Sequence, residues 1–141
     1  MVQYKGKGIF LICMLLFGLS QSIQAQNVIN GKKIYETRCL VCHQADGGGV
    51  PNMNAPLDGS TNVVGNDIGR LVKIIKNGFN EKIELDGNYY SNDMTPNPDL
   101  SDVAIADVLS YIRNSWSNKA SIVTIVQVKN ANKGNQKKIS K

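Results

Sequence analysis

The stretch Cys39-Leu40-Val41-Cys42-His43 decides how this sequence is read. Two cysteines three apart, with a histidine directly after them, suit a zinc centre, a thiol–disulfide exchanger or a covalently held cofactor. The rest of the chain separates these chemistries. It has 141 residues, with three cysteines and one histidine, a length that suits one domain.

The first segment does not read as folded structure. Lys5 and Lys7 precede an apolar run from Ile9 to Leu19, and small and polar residues follow as far as Ala25. That order is a secretory signal peptide over residues 1–25, with Ile23 and Ala25 lining the cleavage site. The run is shorter than the roughly 20 apolar residues a spanning helix needs, so an uncleaved anchor is the weaker alternative. Cys13 lies inside the run without the small residue expected before a lipidated cysteine, and belongs to the discarded segment. Export then implies a periplasmic protein with no stable membrane span. The two cysteines of the mature chain are Cys39 and Cys42, and the net charge of +5 falls by Lys5 and Lys7 to +3. So small an excess does not argue for nucleic acid.

Along the mature chain, Val28, Gly31, Ile34 and Tyr35 recur at helical spacing and predict a helix over 27–39. Residues 45–65 lose that period and are rich in Gly, Pro and Asn, which predicts a long loop of functional weight. Asn66-Asp67 suits a helix cap. Ile68, Leu71, Val72 and Ile75 form the next stripe, and Gly78 ends it. A second loop is expected from Phe79 to Pro98, with turn signals at Asp86-Gly87-Asn88. Ser101 then caps a third helix whose buried stripe is Ile105, Val108, Leu109 and Ile112, with Trp116 as a candidate extension of it, and with Asp102, Asp107 and Arg113 facing water. Residues Ile122–Val126 have strand propensity but no convincing partner strand. The lysine-rich end, within a tail spanning 119–141, is expected to be solvated and mobile.

Structural zinc takes four protein ligands, and the mature chain offers only Cys39, Cys42 and His43 from the usual soft set. A disulfide exchanger needs a βαβ scaffold that these strand signals do not provide. Two merely buried cysteines would leave the long loops unexplained, because the helices alone supply little core for so small a domain. A C-x-x-C-H run also serves haem attachment, in which two thiols add to the porphyrin vinyl groups and the adjacent imidazole ligates iron. Haem fits best, and it would supply the missing core. With one histidine in the chain, the second axial ligand is expected to be a methionine. Met53 is ten residues beyond His43, in the loop that must cover the proximal side. Met94 lies in the second loop and can reach the distal face, which makes it the expected ligand.

These residues resemble class I c-type cytochromes over about residues 27–118. The likeness rests on the pentapeptide, on the run from Gly47 to Ser60, and on the segment from Tyr89 to Trp116. The resemblance implies an all-α fold, the small class I cytochrome c fold, with three main helices and long loops around one haem c held by two thioethers. It places the domain at 26–118. It implies that the Pro51 carbonyl steadies His43 and that Leu57 packs on the macrocycle. It also implies that Gly31 and Tyr35 cross the last helix near Val108 and Tyr111. Relatives usually follow the ligand methionine with proline. Here Thr95 intervenes before Pro96, so a looser loop is expected.

The implied function is electron transfer without catalysis, by a periplasmic carrier or by the cytochrome subunit of a larger oxidoreductase. Its partners would be redox proteins: a dehydrogenase, a reductase or a terminal oxidase. Lysines 32, 33, 73 and 76 and those of the tail are candidates for steering an acidic partner. The alternative is a haem-based sensor or small-gas binder with a labile Met94.

Overall fold

The computed structural model describes residues 28–85 and 87–139, with side chains as far as residue 133. The expected signal segment lies outside the described residues. Helix α1 covers residues 28–38. It is followed by the single turn α2 (Leu40–His43), the short α3 (Thr61–Val64), α4 (Ile68–Asn77), the strands β1 (Ile83–Leu85) and β2 (Asn88–Tyr90), α5 (Asp102–Ile112) and α6 (Ile125–Ile139). No helix among the described residues is long and apolar enough to cross a membrane.

The three expected helices form where their caps and stripes place them. Asp67 accepts from the Arg70 N–H at 2.9 Å to start α4, whose buried face is Ile68, Val72 and Ile75. Gly78, at φ 76°, ends it in a conformation that L side chains resist. The Ser101 hydroxyl caps α5 by accepting from Ala104 N–H at 3.2 Å. Helix α5 is the centre of the fold, buried at Ile105 through Ser110 and again at Ile112. Gly31 is where α1 crosses it. A Cβ there would run into the Asp107 carbonyl and the Tyr111 Cβ, so only glycine permits the approach. Tyr35, one turn later, is buried against Tyr111 at 5.5 Å between ring centroids.

Because α5 is central, two of its polar residues do not face water as expected. Asp107 is 5% exposed and Arg113 is 1% exposed. Each keeps a partner: Asp107 accepts from Asn30 Nδ2. Arg113 donates to the carbonyls of Val63, Gly65 and Ser121. No buried side-chain N or O atom among the described residues lacks a partner.

The segment after Ser117 departs further from expectation. The β-branched run does not pair as a strand, and the basic tail is helical through Ile139. Thr124 and Gln127 form a reciprocal capping box: Thr124 N–H donates to Gln127 Oε1 at 2.8 Å, and Gln127 N–H to Thr124 Oγ1 at 3.3 Å. Val123 and Val128 are buried in the same core as α4 and α5, and Asn132 Nδ2 reaches Asp102 Oδ1 at 2.7 Å. Burial of such side chains, at about 1.5–3 kcal/mol each, outweighs a weak strand preference. The folded unit therefore continues past residue 118. The second loop likewise contains a small antiparallel hairpin, pairing Ile83 with Tyr90 and Leu85 with Asn88. Gly87, at φ 77°, takes a positive φ directly before β2, a conformation that glycine accepts without strain.

Candidate functional site

Helix α1 hands directly into the pentapeptide. Cys39 N–H donates to Tyr35 O at 2.9 Å, and His43 N–H to Cys39 O at 2.9 Å. Cys39, Cys42 and His43 thus share one helical turn. Both cysteines are free thiols, Cys39 half-buried and Cys42 exposed. Burial first, and the neighbouring Cys42 second, push the Cys39 thiol up to about 11. Such a thiol stays protonated near neutrality and is a weak nucleophile, the reverse of what an exchange enzyme arranges.

The imidazole of His43 is fixed by the following loop. Its Nδ1 lies 3.1 Å from the carbonyl oxygen of Ala55. With Nδ1–H donating there, Nε2 is the nitrogen left to bind a metal. Burial holds the ring's pKa below its ordinary value, against the opposing pull of the Ala55 carbonyl. The neutral, ligand-competent imidazole is therefore the favoured form. Pro51, expected to supply this carbonyl, does not. It sits at the corner of a tight turn closed by reciprocal Val50–Asn54 backbone bonds of 2.9 Å. That turn folds the chain back so that Ala55 meets the ring. Pro56 disfavours a helical conformation at Ala55, the residue before it.

Met94 is held by its backbone against the end of α4. Phe79 N–H donates to Met94 O at 3.1 Å and Met94 N–H to Phe79 O at 2.7 Å. Gly78 leaves no room for a Cβ against Met94 O and Pro96. The extra Thr95 thus follows a pinned, not a dangling, residue. Asn92 N–H donates to Met53 O at 3.1 Å, which joins the methionine loop to the loop that carries Ala55. Met53 itself is 49% exposed.

These residues suit a planar apolar group with an iron centre. Leu40, Leu57, Leu71, Met94 and Leu100 touch the core yet remain only partly covered. Two free thiols, a nitrogen donor and a thioether are the matching donor set.

The end of α5 contributes residues whose role the sequence did not disclose. Trp116 adopts φ 55°, rare for so bulky a residue. Its Nε1 donates to Ala45 O at 2.9 Å, and its ring fills the space where Gly47 would carry a Cβ. Asp58 Oδ1 accepts from the Ser117 N–H at 2.9 Å and from its hydroxyl. Asn118, 3% exposed, donates to Leu57 O at 2.9 Å and Ile112 O at 3.0 Å. It also accepts from Gly59 N–H at 2.9 Å. Trp116, whose spacing reads as an extension of the α5 stripe, instead leaves the helix at a positive φ, and Asn118 carries no periodic signal, so only the assembled loop reveals their use. Two of the candidate steering lysines are engaged within the fold: Lys76 Nζ donates to the carbonyls of Pro98 and Leu100, and Lys32 pairs with Glu36 at 3.5 Å.

The family model described as Cytochrome c matches residues 28–116. Among curated proteins, a cytochrome c-552 of Thermus thermophilus is 32% identical over 115 residues, which span 79% of this chain and 74% of that protein. The cytochrome c subunit of a quinone alcohol dehydrogenase from Gluconacetobacter polyoxogenes is 36% identical over 96 residues, 65% of this chain. The corresponding Gluconobacter oxydans subunit is 32% identical over 98 residues. The match spans only about a fifth (20%) of the length of the Gluconacetobacter subunit.

Proposed function

The chain belongs to the cytochrome c family, as a class I c-type cytochrome with the small all-α fold, and from this premise we propose that it is a periplasmic single-electron carrier. As a cytochrome c it is an electron-transfer protein and not itself a catalyst. In the proposed arrangement the thiols of Cys39 and Cys42 would hold the haem through two thioethers, His43 Nε2 and the Met94 thioether would ligate its iron, and Leu57 would pack against the group. Haem c, when bound, supplies a one-electron iron couple whose potential a Met/His ligand pair raises relative to two imidazoles.

The observation that carries this reading is the His43 Nδ1 bond to Ala55 O. It orients the imidazole, fixes its tautomer and leaves one ring nitrogen for the metal, from the same turn that presents both thiols. The pinned Met94 supports a closed site in which neither ligand leaves. One C-x-x-C-H run in the sequence supports a single haem.

The partners are redox proteins. A dehydrogenase is favoured because cytochrome subunits of quinone alcohol dehydrogenases contain a segment similar to this chain. We assign residues 1–25 to a removable signal peptide on the basis of their charge and apolar order.

Production in cells that attach haem, with mass measurement of the exported protein, tests this. The predicted mass is that of the chain from residue 26 plus one haem, retained after denaturation. A Cys39→Ser, Cys42→Ser double variant should lose it. A mass without haem, or one keeping residues 1–25, would overturn the corresponding part.

A further inference from the structure

We propose that Trp116, Ser117 and Asn118 form a clamp that positions the loop bearing Ala55, and thereby sets the strength of the His43 Nδ1–H bond and the reduction potential. The inference rests on His43 being the proximal ligand.

The loop from Gln44 to Gly59 returns to its starting point, and the clamp holds both ends. At the start, Trp116 Nε1 binds Ala45 O at 2.9 Å while its ring packs on Gly47. At the finish, three successive residues are bound: Leu57 through its carbonyl, Asp58 through its carboxylate and Gly59 through its N–H. The two ends also bind each other, since Leu57 N–H and Asp58 N–H both donate to Gly47 O, at 2.7 and 3.0 Å. Ala55 lies two residues before Leu57. Its carbonyl is thereby carried on this frame to His43 Nδ1.

Asn118 is the key member. It is buried, and its amide bonds Leu57 O, Ile112 O and Gly59 N–H, tying the loop to the last turn of α5. Trp116 keeps a left-handed backbone at φ 55° to bring ring and tripeptide onto the loop together. Such backbone conformations persist where surrounding contacts over-determine them, and they cluster at functional sites. The clamp acts through Ala55 O. A well-aligned acceptor gives the imidazole more anionic character and a stronger donation to the metal. That favours the ferric state and lowers the potential.

The test uses the full haem-loaded protein. Midpoint potential, the NMR signal of the His43 Nδ1 proton and the melting temperature are measured for wild type, Asn118→Ala, Trp116→Phe and Val128→Ala. Asn118→Ala should shift electron exchange with a fixed mediator about threefold toward the reduced protein, the scale set by weakening the one hydrogen bond at His43 Nδ1, and should move the His43 signal. Trp116→Phe keeps an aromatic side chain but loses the bond to Ala45 and part of the packing on Gly47, leaves Asn118 in place, and should shift both readouts less. Val128→Ala, on α6, should lower the melting temperature and leave both readouts in place. An unchanged potential and His43 signal in Asn118→Ala would overturn the clamp, however early that variant melts. An equal shift in Val128→Ala would overturn it too. If Asn118→Ala does not retain haem, Trp116→Phe decides by the same readouts. A wild type lacking a low-spin, histidine-ligated spectrum would remove the underlying functional reading instead, which its absorption reports before any variant is compared.

Discussion

Gly31 of α1 lies directly on the backbone carbonyl of Asp107 in α5, with no space for even a methyl group between the two helices. This crossing fixes the angle at which α1 runs into Cys39, and so where the pentapeptide turn sits. Gly31→Ala should force the helices apart. We expect a stability loss of about 1–3 kcal/mol, the usual cost of overpacking, and a lower yield of haem-loaded protein. Urea denaturation of wild type and variant measures it.

Asp58 gives the fold a pH dependence of known sign. The Ser117 hydroxyl, then the Ser117 N–H, hold its carboxyl below the ordinary 3.8. A carboxylate whose folded pKa is depressed contributes stability that is fully present above the unfolded value and lost as pH falls through the folded one. Melting temperature should therefore drop in the acid range below 3.8. Asp58→Asn should melt earlier at neutral pH and show a flatter acid limb. Equal slopes for the two proteins would contradict the assignment.

The capping box at the start of α6 makes a separate prediction. Thr124→Ala removes one of its two reciprocal bonds, and a lost N-cap costs about 0.5–2 kcal/mol. Amide hydrogen exchange should accelerate first in α6, and the Val128 amide should lose protection before that of Val108.

Arg113 is a buried cation whose partners are carbonyls: Val63, Gly65 and Ser121. Burial lowers the pKa of its guanidinium, yet an arginine stays charged throughout the working range. Arg113→Met should be strongly destabilising, by about 3 kcal/mol or more, because several charge-assisted bonds are lost and the carbonyls are orphaned. Arg113→Lys should recover only part, since a point charge cannot match the guanidinium's spread of donors. Thermal denaturation ranks the three proteins.

What the sequence disclosed follows from where physical signals are local. Apart from Val28, which is exposed at the start of α1, the stripes of α1, α4 and α5, the caps at Asp67 and Ser101 and the stop at Gly78 all depend on residues within one or two turns. Each was legible. Asp107 and Arg113 read as water-facing because their own helix offers a polar side there; their burial comes from α1, α3 and the segment around Ser121. The strand preference of Ile122–Val126 masked a local signal that was present, the Thr124–Gln127 pair. Among site residues, the acceptor for His43 proved to be Ala55 where Pro51 was expected. The family resemblance pointed to a proline carbonyl, but the fold of the loop decides which carbonyl meets the ring.

The central claim is a closed site in which His43 and Met94 would both ligate the haem iron. Its most direct test is the visible spectrum of the dithionite-reduced wild type, recorded before and after adding CO, with Met94→Ala alongside. We predict a sharp low-spin spectrum that CO leaves unchanged in the wild type and shifts in Met94→Ala. A wild-type spectrum shifted by CO would contradict a closed electron-transfer site and favour a ligand-binding sensor, and a protein without haem absorption would contradict the account as a whole.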